Sequence, residues 1–261
     1  MTLERISIEL TNRCSKGCWF CYNSSNADGS TEWAVDELVE FVTDCARHSV
    51  RAVSFGGGEP LQYPGVFEVL ARLRGVLFRS LTSNGLLLDK PMLHELRRAA
   101  PDKVHLSIHF PGNRSEVDRV IRQVHQLSHA GIRSGVNLLV ERSRLNDVIH
   151  AADLLRSSGI ENDRIVYLPM RGADTPTPEE IARVAGNQPF QSMTCLTSCH
   201  ASPRFCSISW DRRVAWCSYT SEKRLLREAT FAGVTEALDG LGLEYCGGDE
   251  TQSPPMVPLE F

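Results

Sequence analysis

Six short apolar runs, rich in β-branched residues, alternate with longer segments of helical periodicity between residues 5 and about 186. The strand candidates are Arg5–Leu10, Ala52–Phe55, Phe78–Leu81, Lys103–Ile108, Gly135–Leu139 and Arg164–Leu168. The helix candidates begin near residues 31, 64, 91, 115, 146 and 178. Parallel strands joined by helices carry those helices outside the sheet, so the alternation predicts an α/β fold. Six units are too few to close an eight-stranded barrel, and we therefore expect a partial (β/α)6 TIM-like barrel.

Residue types at the ends of the predicted helices agree with this pattern. Ser115 and Gly131 have the residue types of an N-cap and of a C-terminal stop, and Asn146 can cap the following helix. Thr177 and Glu180 have the spacing of a capping box. These signals predict three of the helix starts.

The alternation of strands and helices stops at about residue 186. The rest of the chain contains four clustered cysteines, aromatic residues between positions 210 and 219, and a tail rich in glycine and proline. Little apolar periodicity is left there to stabilise a fold. We therefore divide the chain into a barrel over residues 1–186 and a small, irregular, cysteine-rich extension, stapled by metal, over residues 187–261.

The balance of charges argues against nucleic acid as the main partner. The 261 residues include 28 lysines and arginines and 32 aspartates and glutamates, giving a net charge of −4. Charged residues occupy the start of the chain, where a signal peptide would be apolar, and no apolar run approaches the ~20 residues of a membrane span. We expect a soluble cytoplasmic protein whose nine cysteines serve metal or redox chemistry.

Three cysteines with C-x3-C-x2-C spacing follow the first predicted strand directly: Cys14, Cys18 and Cys21. Such a loop can place three thiolates around an iron–sulfur cubane and leave one iron open to a small molecule. A structural zinc site, or a run of buried thiols, is the alternative, but zinc takes four ligands and usually pairs of C-x2-C. The separate residue Cys45 lies on the apolar face of its predicted helix and is expected in the core.

Polar or glycine-rich groups follow the other predicted strands, at the edge where parallel α/β folds bind ligands. These groups are Gly56–Pro60, Thr82–Gly85, Ser107 with His109, Asn137 with Glu141, and Pro169–Gly172. Glycines expose backbone N–H groups to a ligand, and a neighbouring carboxylate can hold an ammonium group. A tight turn explains each motif when it is taken alone, but their occurrence at successive strand ends favours a ligand site.

The cysteine triplet with Phe20 inside it, the Gly57–Glu59 segment about forty residues later and the Ser83–Gly85 turn together resemble the radical S-adenosylmethionine (radical SAM) superfamily. The resemblance covers residues 5 to about 186. It implies that the three cysteines bind a [4Fe-4S] cluster. Its open iron would chelate the amino and carboxylate groups of the cofactor S-adenosyl-L-methionine.

The resemblance also implies roles for residues around that cofactor. Phe20 lies beside the adenine. The residues that hold the methionine ammonium group are Gly57, Gly58 and Glu59. Candidates for contacts with the ribose and the carboxylate are Ser83, Asn84, Ser107 and Asn137. His109 is a further candidate, although a histidine after a strand is often only a satisfied polar group.

The resemblance implies a reaction as well. In this superfamily the reduced cluster gives one electron to S-adenosylmethionine, which splits into methionine and a 5′-deoxyadenosyl radical. That radical abstracts hydrogen from an organic substrate. A one-electron donor such as flavodoxin or ferredoxin is then the expected protein partner.

Four further cysteines fall within 23 residues: Cys195, Cys199, Cys206 and Cys217. The last two bound a predicted hairpin whose turn at Asp211–Arg213 brings them together. This segment is similar to the auxiliary-cluster extensions of the superfamily, the SPASM and twitch domains. However, Arg212 stands where those domains usually have glycine, and the seven-cysteine SPASM pattern is incomplete. We expect a reduced, twitch-like extension with an auxiliary iron–sulfur cluster; zinc and partial ligation are the alternatives.

Several outcomes of hydrogen abstraction are compatible with this sequence. Maturation of a ribosomal peptide is the first expectation for the substrate class, and dehydrogenation or epimerisation of a small natural-product intermediate is the alternative. Cys246 is either a further ligand or a thiol that donates hydrogen to a substrate radical, which would imply epimerisation. A hypothesis of another class is a non-catalytic iron–sulfur or zinc protein.

Overall fold

The structure, a computed structural model, describes residues 2–192 and 202–243. Its strands are β1 (Arg5–Glu9), β2 (Ala52–Gly56), β3 (Phe78–Ser83), β4 (Lys103–Ile108), β5 (Ser134–Val140), β6 (Ile165–Pro169), β7 (Gln191–Ser192), β8 (Phe205–Ile208), β9 (Arg213–Ala215) and β10 (Arg224–Leu225). Its helices are α1 (Val35–His48), α2 (Val66–Arg72), α3 (Lys90–Ala99), α4 (Arg114–His129), α5 (Leu145–Ser157), α6 (Pro178–Val184) and α7 (Phe231–Leu238). All six predicted strands are confirmed.

Contacts divide the described residues into two units. The first contains residues 2–105, 127–133 and 202–243, and the second contains residues 106–126 and 134–192. In the first unit the strand order is β10-β9-β8-β1-β2-β3. There β8, β1, β2 and β3 run parallel, and β9 and β10 form an antiparallel edge.

The sheet of the first unit has one apolar face and one polar face. Ile6 and Ile8 of β1 are buried, and so are Val53 and Phe55, their partners on β2. Ser7 lies between the two isoleucines, faces the other way and is partly exposed. Because side chains alternate along a strand, this pattern assigns the apolar face to the core.

The second unit carries β5, β6 and β7 as parallel neighbours. Helix α6 begins with the predicted capping box. Thr177 Oγ1 accepts a hydrogen bond from the Glu180 N–H, and the Glu180 carboxylate accepts one from the Thr177 N–H. Two N–H groups that the first turn leaves without helical partners are thereby satisfied.

Three helix starts differ from the prediction. The first helix begins four residues after the predicted start. At α4, Asn113 rather than Ser115 is the cap, since its side chain accepts a hydrogen bond from the N–H of Glu116. Asn146 lies inside α5, because a 3-10 turn over residues 142–144 precedes that helix.

Residues 202–243 are more regular than the sequence predicts. Strand β8 pairs in parallel with β1 and so extends the sheet of the first unit. Helix α7 packs on α1, where the Phe231 N–H donates to Asp44 Oδ2 over 2.8 Å. The boundary between residues 186 and 187 stays a prediction. Within the described ranges no helix is both long enough and apolar enough for a membrane crossing.

Candidate cofactor site

The cysteine loop leaves β1 and folds back onto its own beginning. The Cys14 N–H donates to the Asn26 carbonyl over 2.8 Å, and the Asn26 N–H donates to the Asn12 carbonyl over 3.1 Å. Within the loop, the Cys21 N–H donates to the Cys18 carbonyl over 3.2 Å. These bonds fix the loop through its backbone, so its side chains are available for other contacts.

The segment after β2 docks on the residues that precede the first cysteine. The Gly58 N–H donates to the Thr11 carbonyl over 2.7 Å, and the Glu59 N–H donates to the Arg13 carbonyl over 2.8 Å. Gly57 has a φ of +106°, and a Cβ there would lie 2.6 Å from the Thr11 oxygen. A Cβ on Gly58 would overlap the Arg13 carbonyl. Both glycines are therefore required for close packing of the two chain segments.

Glu59 joins the ends of β2 and β3. Its buried carboxylate accepts hydrogen bonds from the Leu61 N–H over 3.0 Å, the Ser83 hydroxyl over 2.8 Å and the Asn84 N–H over 2.8 Å. Burial raises the pKa of Glu59, and these three donors oppose that shift by stabilising the carboxylate. The carboxylate is thus already engaged within the protein.

The turn after β3 reaches the cysteine loop. Asn84 Nδ2 donates to Cys14 Sγ over 3.5 Å, and Asn84 Oδ1 accepts from the Leu86 N–H over 2.8 Å. Gly85 follows with a φ of +73°, a conformation that glycine adopts without strain. Together with Glu59, these contacts bring the motifs after β2 and β3 to the cysteine loop, as the sequence predicts.

The three loop cysteines fit an iron–sulfur cluster in their chemistry. Cys14, Cys18 and Cys21 are partly exposed thiols that form no disulfide in the described structure. Within the described ranges, His, Cys, Asp and Glu side chains form no group of three around one metal-ion position. A cubane takes one thiolate for each ligated iron, and the loop supplies three thiols.

Aromatic residues surround the same loop. Trp19 is 77% exposed and meets Phe20 edge to face, with ring centroids 5.3 Å apart. The ring of Tyr22 lies 4.7 Å from that of Tyr219, which follows β9. The second contact joins the cysteine loop to the C-terminal segment of the same unit.

Three sequence-predicted cofactor contacts belong to the second unit. Ser107 is buried near the end of β4, and Asn137 is partly buried on β5. The backbone N–H of His109 donates to Glu116 Oε1 over 2.7 Å. Their contacts with a cofactor stay predictions.

The predicted hairpin is present, but its register does not make the end cysteines partners. Ser207 pairs with Ala215, which leaves Cys206 opposite position 216 and Cys217 opposite position 205. Cys206 is fully buried, and burial raises its pKa, with a further contribution from nearby Cys45. The structure thus places Cys206 in the core and Cys217 in a partly exposed position.

The remaining cysteines with predicted roles, Cys195, Cys199 and Cys246, lie outside the described residues. Their roles stay predictions.

Arg212 has a specific role in the hairpin turn. Its φ is +58°, which explains why similar turns carry glycine at this position. Its guanidinium group forms two hydrogen bonds with the Glu37 carboxylate, two with the Glu32 carbonyl, and lies 5.1 Å from the centre of the Trp33 ring. The sequence shows the unusual residue but not these partners, which come from another part of the chain.

Sequence reasoning also missed Glu9. This carboxylate ends β1 with only 2% of its surface exposed, and its Oε2 atom has no hydrogen-bond partner among the described residues. The only sequence signal is a glutamate between Ile8 and Leu10, near the end of the first predicted strand.

A family model described as the radical SAM superfamily matches residues 8–185. The chain belongs to the radical SAM superfamily. The predicted family is confirmed, and with it the two cofactors that family membership implies, S-adenosylmethionine and a [4Fe-4S] cluster. The protein is therefore a radical SAM enzyme.

Curated relatives of this radical SAM enzyme act on different substrates. It is 27% identical over 177 residues to a probable GTP 3′,8-cyclase of Sulfolobus acidocaldarius, covering 64% of this chain and 56% of that protein. It is 28% identical over 181 residues to the PqqA peptide cyclase of Gluconobacter oxydans, covering 63% of this chain and 49% of that protein. The chain thus spans about half the length of these relatives.

Solved radical SAM structures share the fold. SuiB of Streptococcus suis bound to S-adenosylmethionine matches with a TM-score of 0.68 and 15% identity, over 83% of this chain and 60% of that one. The protein anSMEcpe with bound AdoMet matches with a TM-score of 0.65 and 14% identity, over 90% of this chain and 78% of that one. These matches confirm the predicted α/β partial-barrel fold class.

Proposed function

We propose that this radical SAM enzyme holds its cluster through Cys14, Cys18 and Cys21 and binds S-adenosylmethionine beside them, at the carboxyl ends of β1, β2 and β3. The observation that carries this assignment is the hydrogen bond from Asn84 to Cys14, backed by the three donors on Glu59. It ties the cysteine loop to both neighbouring strand ends, where parallel sheets bind ligands.

Each residue of the site has a task in this proposal. Backbone groups of Gly57 and Gly58 line the place for the methionine ammonium, and Glu59 positions the Ser83–Asn84 turn. Phe20 lies beside the adenine. Ser107, Asn137 and His109 supply further polar contacts. When bound, the reduced cluster and S-adenosylmethionine supply a 5′-deoxyadenosyl radical that abstracts a hydrogen atom from the substrate.

For the substrate we propose a peptide, which makes the enzyme a maturase. Among the matched structures, SuiB is named with the SuiA precursor peptide and anSMEcpe with the peptides Cp18Cys and Kp18Cys, and the Gluconobacter relative is named a peptide cyclase. Relatives named GTP 3′,8-cyclase favour a small molecule as the second candidate. Dehydrogenation or epimerisation of such a molecule is the alternative chemistry.

We also propose an auxiliary iron–sulfur cluster in the C-terminal segment. The candidate ligands are Cys195, Cys199, Cys206 and Cys217, with Cys246 as a further candidate; the burial of Cys206 beside Cys45 favours the other four. Cys246 is also the candidate hydrogen donor if the reaction is an epimerisation.

The first experiment is anaerobic reconstitution with iron and sulfide, followed by dithionite and S-adenosylmethionine. The wild-type enzyme should form 5′-deoxyadenosine, whereas Cys14→Ala should form none because the cluster is lost. The variant Cys45→Ala removes a thiol from the core and is the matched control. If cluster-loaded wild-type protein forms no 5′-deoxyadenosine with candidate peptides or nucleotides, the proposal is wrong.

The auxiliary cluster is tested by counting iron. In a Cys14/Cys18/Cys21→Ala triple variant, about four irons should remain with the protein. A value near zero would show that the C-terminal cysteines hold no cluster of their own.

A further inference from the structure

A row of four serines crosses one face of the sheet in the first unit. Ser7 on β1 pairs with Ser54 on β2 and with Ser207 on β8, and Ser54 pairs with Ser80 on β3. Residues that pair across parallel strands share a face, so the four hydroxyl groups stand side by side. We call this surface the serine face.

The serine face is not packed like the opposite face. On the opposite face, Ile6, Phe55 and Leu81 are fully buried. On the serine face, Ser7, Ser54 and Ser80 are partly exposed and too small to fill space against another layer. A face that served only as core would carry large apolar residues instead. Over β1, β2 and β3 this face is therefore an open polar surface, whereas Ser207 on β8 is buried.

Glu9 lies at the end of this surface, two residues beyond Ser7 on the same strand face. Only 2% of its surface is exposed, and its Oε2 atom has no hydrogen-bond partner among the described residues. A Cβ on the neighbouring Gly57 would come within 2.9 Å of Glu9 Cβ, so the glycine lets the segment after β2 pack against Glu9. A buried carboxylate oxygen without a hydrogen bond destabilises the fold, so such an atom in a native protein usually has a function.

The groups around Glu9 come from the cysteine loop and the C-terminal segment. Lys223, the backbone N–H of Trp210 and the Tyr22 hydroxyl stabilise its carboxylate, while Asp211 opposes them. None of these donors satisfies Oε2. One acceptor position therefore remains for a group that is not part of the described chain.

We propose that Glu9 and the serine face bind the substrate, and that Glu9 Oε2 accepts a hydrogen bond from an amino or hydroxyl group of that substrate. Above its pKa of about 7 the Glu9 carboxylate is ionised, only accepts hydrogen bonds and repels anions, so a substrate bound at pH 8 presents neither a phosphate nor a carboxylate at this point. The inference rests on the proposed function, because it gives the substrate of that same reaction a place beside the cysteine loop.

The test uses two small deuterated probes, since the natural substrate is not identified. 2-Aminoethanol deuterated on both carbons carries the donor group that Glu9 should bind, and glycolate deuterated on its carbon carries a carboxylate instead. Each is supplied to the cluster-loaded enzyme with S-adenosylmethionine and dithionite. Transfer breaks one C–D bond of the probe and forms one at C5′, leaving a probe radical that would return one electron to the oxidised cluster and release one proton, so that the alcohol carbon becomes a carbonyl carbon.

The measured quantity is the fraction of 5′-deoxyadenosine that carries deuterium, which does not depend on the amount formed. With wild-type enzyme we expect aminoethanol to give at least about five times the labelled fraction that glycolate gives. Glu9→Gln should lower the aminoethanol value about fivefold, the effect of one lost hydrogen bond. Glu68→Gln, on the exposed side of α2, is the matched control and should keep the wild-type value.

Three outcomes separate this inference from the proposed function. If wild-type enzyme makes no 5′-deoxyadenosine, the proposed function fails and this inference falls with it. If 5′-deoxyadenosine forms but glycolate labels it as well as aminoethanol, or Glu9→Gln labels it as well as wild type, only this inference is overturned. Should Glu9→Gln fail to retain its iron, Ser54→Val gives the decisive measurement, because its added bulk on the serine face should lower labelling and an unchanged value overturns the inference.

Discussion

Asn84 donates a hydrogen bond from its side-chain amide to Sγ of Cys14 over 3.5 Å. The two residues are 70 positions apart, and the bond joins the end of β3 to the cysteine loop. Donors to cluster sulfurs tune iron–sulfur sites, and contacts of this kind orient metal ligands. This pair therefore links the part of the chain that would bind the cofactor to the part that would hold the cluster.

Replacing Asn84 should impair the reaction without removing the cysteines. We expect Asn84→Ala to lower the rate of 5′-deoxyadenosine formation at least about tenfold, as for other residues that support metal ligands. Liquid chromatography of reaction mixtures, with iron content measured in parallel, gives the result. The exposed residue Asn187, whose φ of +55° suits glycine, provides the control Asn187→Gly. Equal rates for the two variants would contradict a role for the Asn84–Cys14 contact.

The two neighbouring glycines Gly58 and Gly56 should differ in their tolerance of a methyl group. A Cβ on Gly58 would overlap the Arg13 carbonyl, whereas a Cβ on Gly56 would meet no atom within 4 Å. Gly58→Ala should therefore displace the segment after β2 and reduce 5′-deoxyadenosine formation about a hundredfold. Gly56→Ala should keep most of the activity. Similar losses in both variants would show that close packing at Gly58 is not what the site requires.

The sequence was sufficient for the parallel strands because their apolar runs are short, β-branched and separated by regular helical periods. It also predicted that the strand-end motifs of the first unit lie together, since parallel strands present their carboxyl ends at one edge of a sheet. The pairing of β8 with β1 could not be predicted, because Cys206 lies in a cysteine-rich segment that the sequence predicts to be irregular and to bind metal. The pairing with β1 shows that this thiol is buried in the sheet, and its role as a ligand stays a prediction.

Side-chain networks between distant segments were equally beyond the sequence. The resemblance predicts that Glu59 holds the methionine ammonium group, and the structure adds that its carboxylate accepts hydrogen bonds from Ser83 and Asn84. Glu9 carries no motif, and its significance depends on burial and on an oxygen without a partner. Periodicity reports which face of a strand is covered, but it does not report which polar atoms are satisfied.

Arg212 and Glu37 should contribute to stability as a unit. The bidentate pair also involves the Glu32 carbonyl and the Trp33 ring, and both charged side chains are only partly exposed. Arg212→Gly removes the pair but relieves the positive φ, so we expect a loss of about 1–2 kcal/mol in the free energy of unfolding. Urea unfolding of Arg212→Gly, Glu37→Gln and the double variant should give a double-variant loss well below the sum of the single losses. Additive losses would show that the two side chains act separately. The control is Arg213→Ala, at the next position in the chain and with a more exposed side chain.

Glu9 should make the stability of the enzyme depend on pH near neutrality. Burial raises the pKa of Glu9 to about 7, with Lys223 the largest opposing influence. A carboxyl group whose pKa rises on folding stabilises the folded state most below its unfolded pKa, and that contribution is lost as pH rises through 7. The Glu9→Gln side chain cannot ionise and has no such pH dependence. From pH 5 to pH 8 the free energy of unfolding of wild type should therefore fall by up to about 3 kcal/mol relative to that of Glu9→Gln. Urea unfolding of both cluster-loaded proteins across this range measures the difference, and because both carry the same cluster, its own pH dependence cancels. A difference that stays constant with pH, or that favours wild type as pH rises, would show that Glu9 is ionised throughout and already has a partner for its second oxygen.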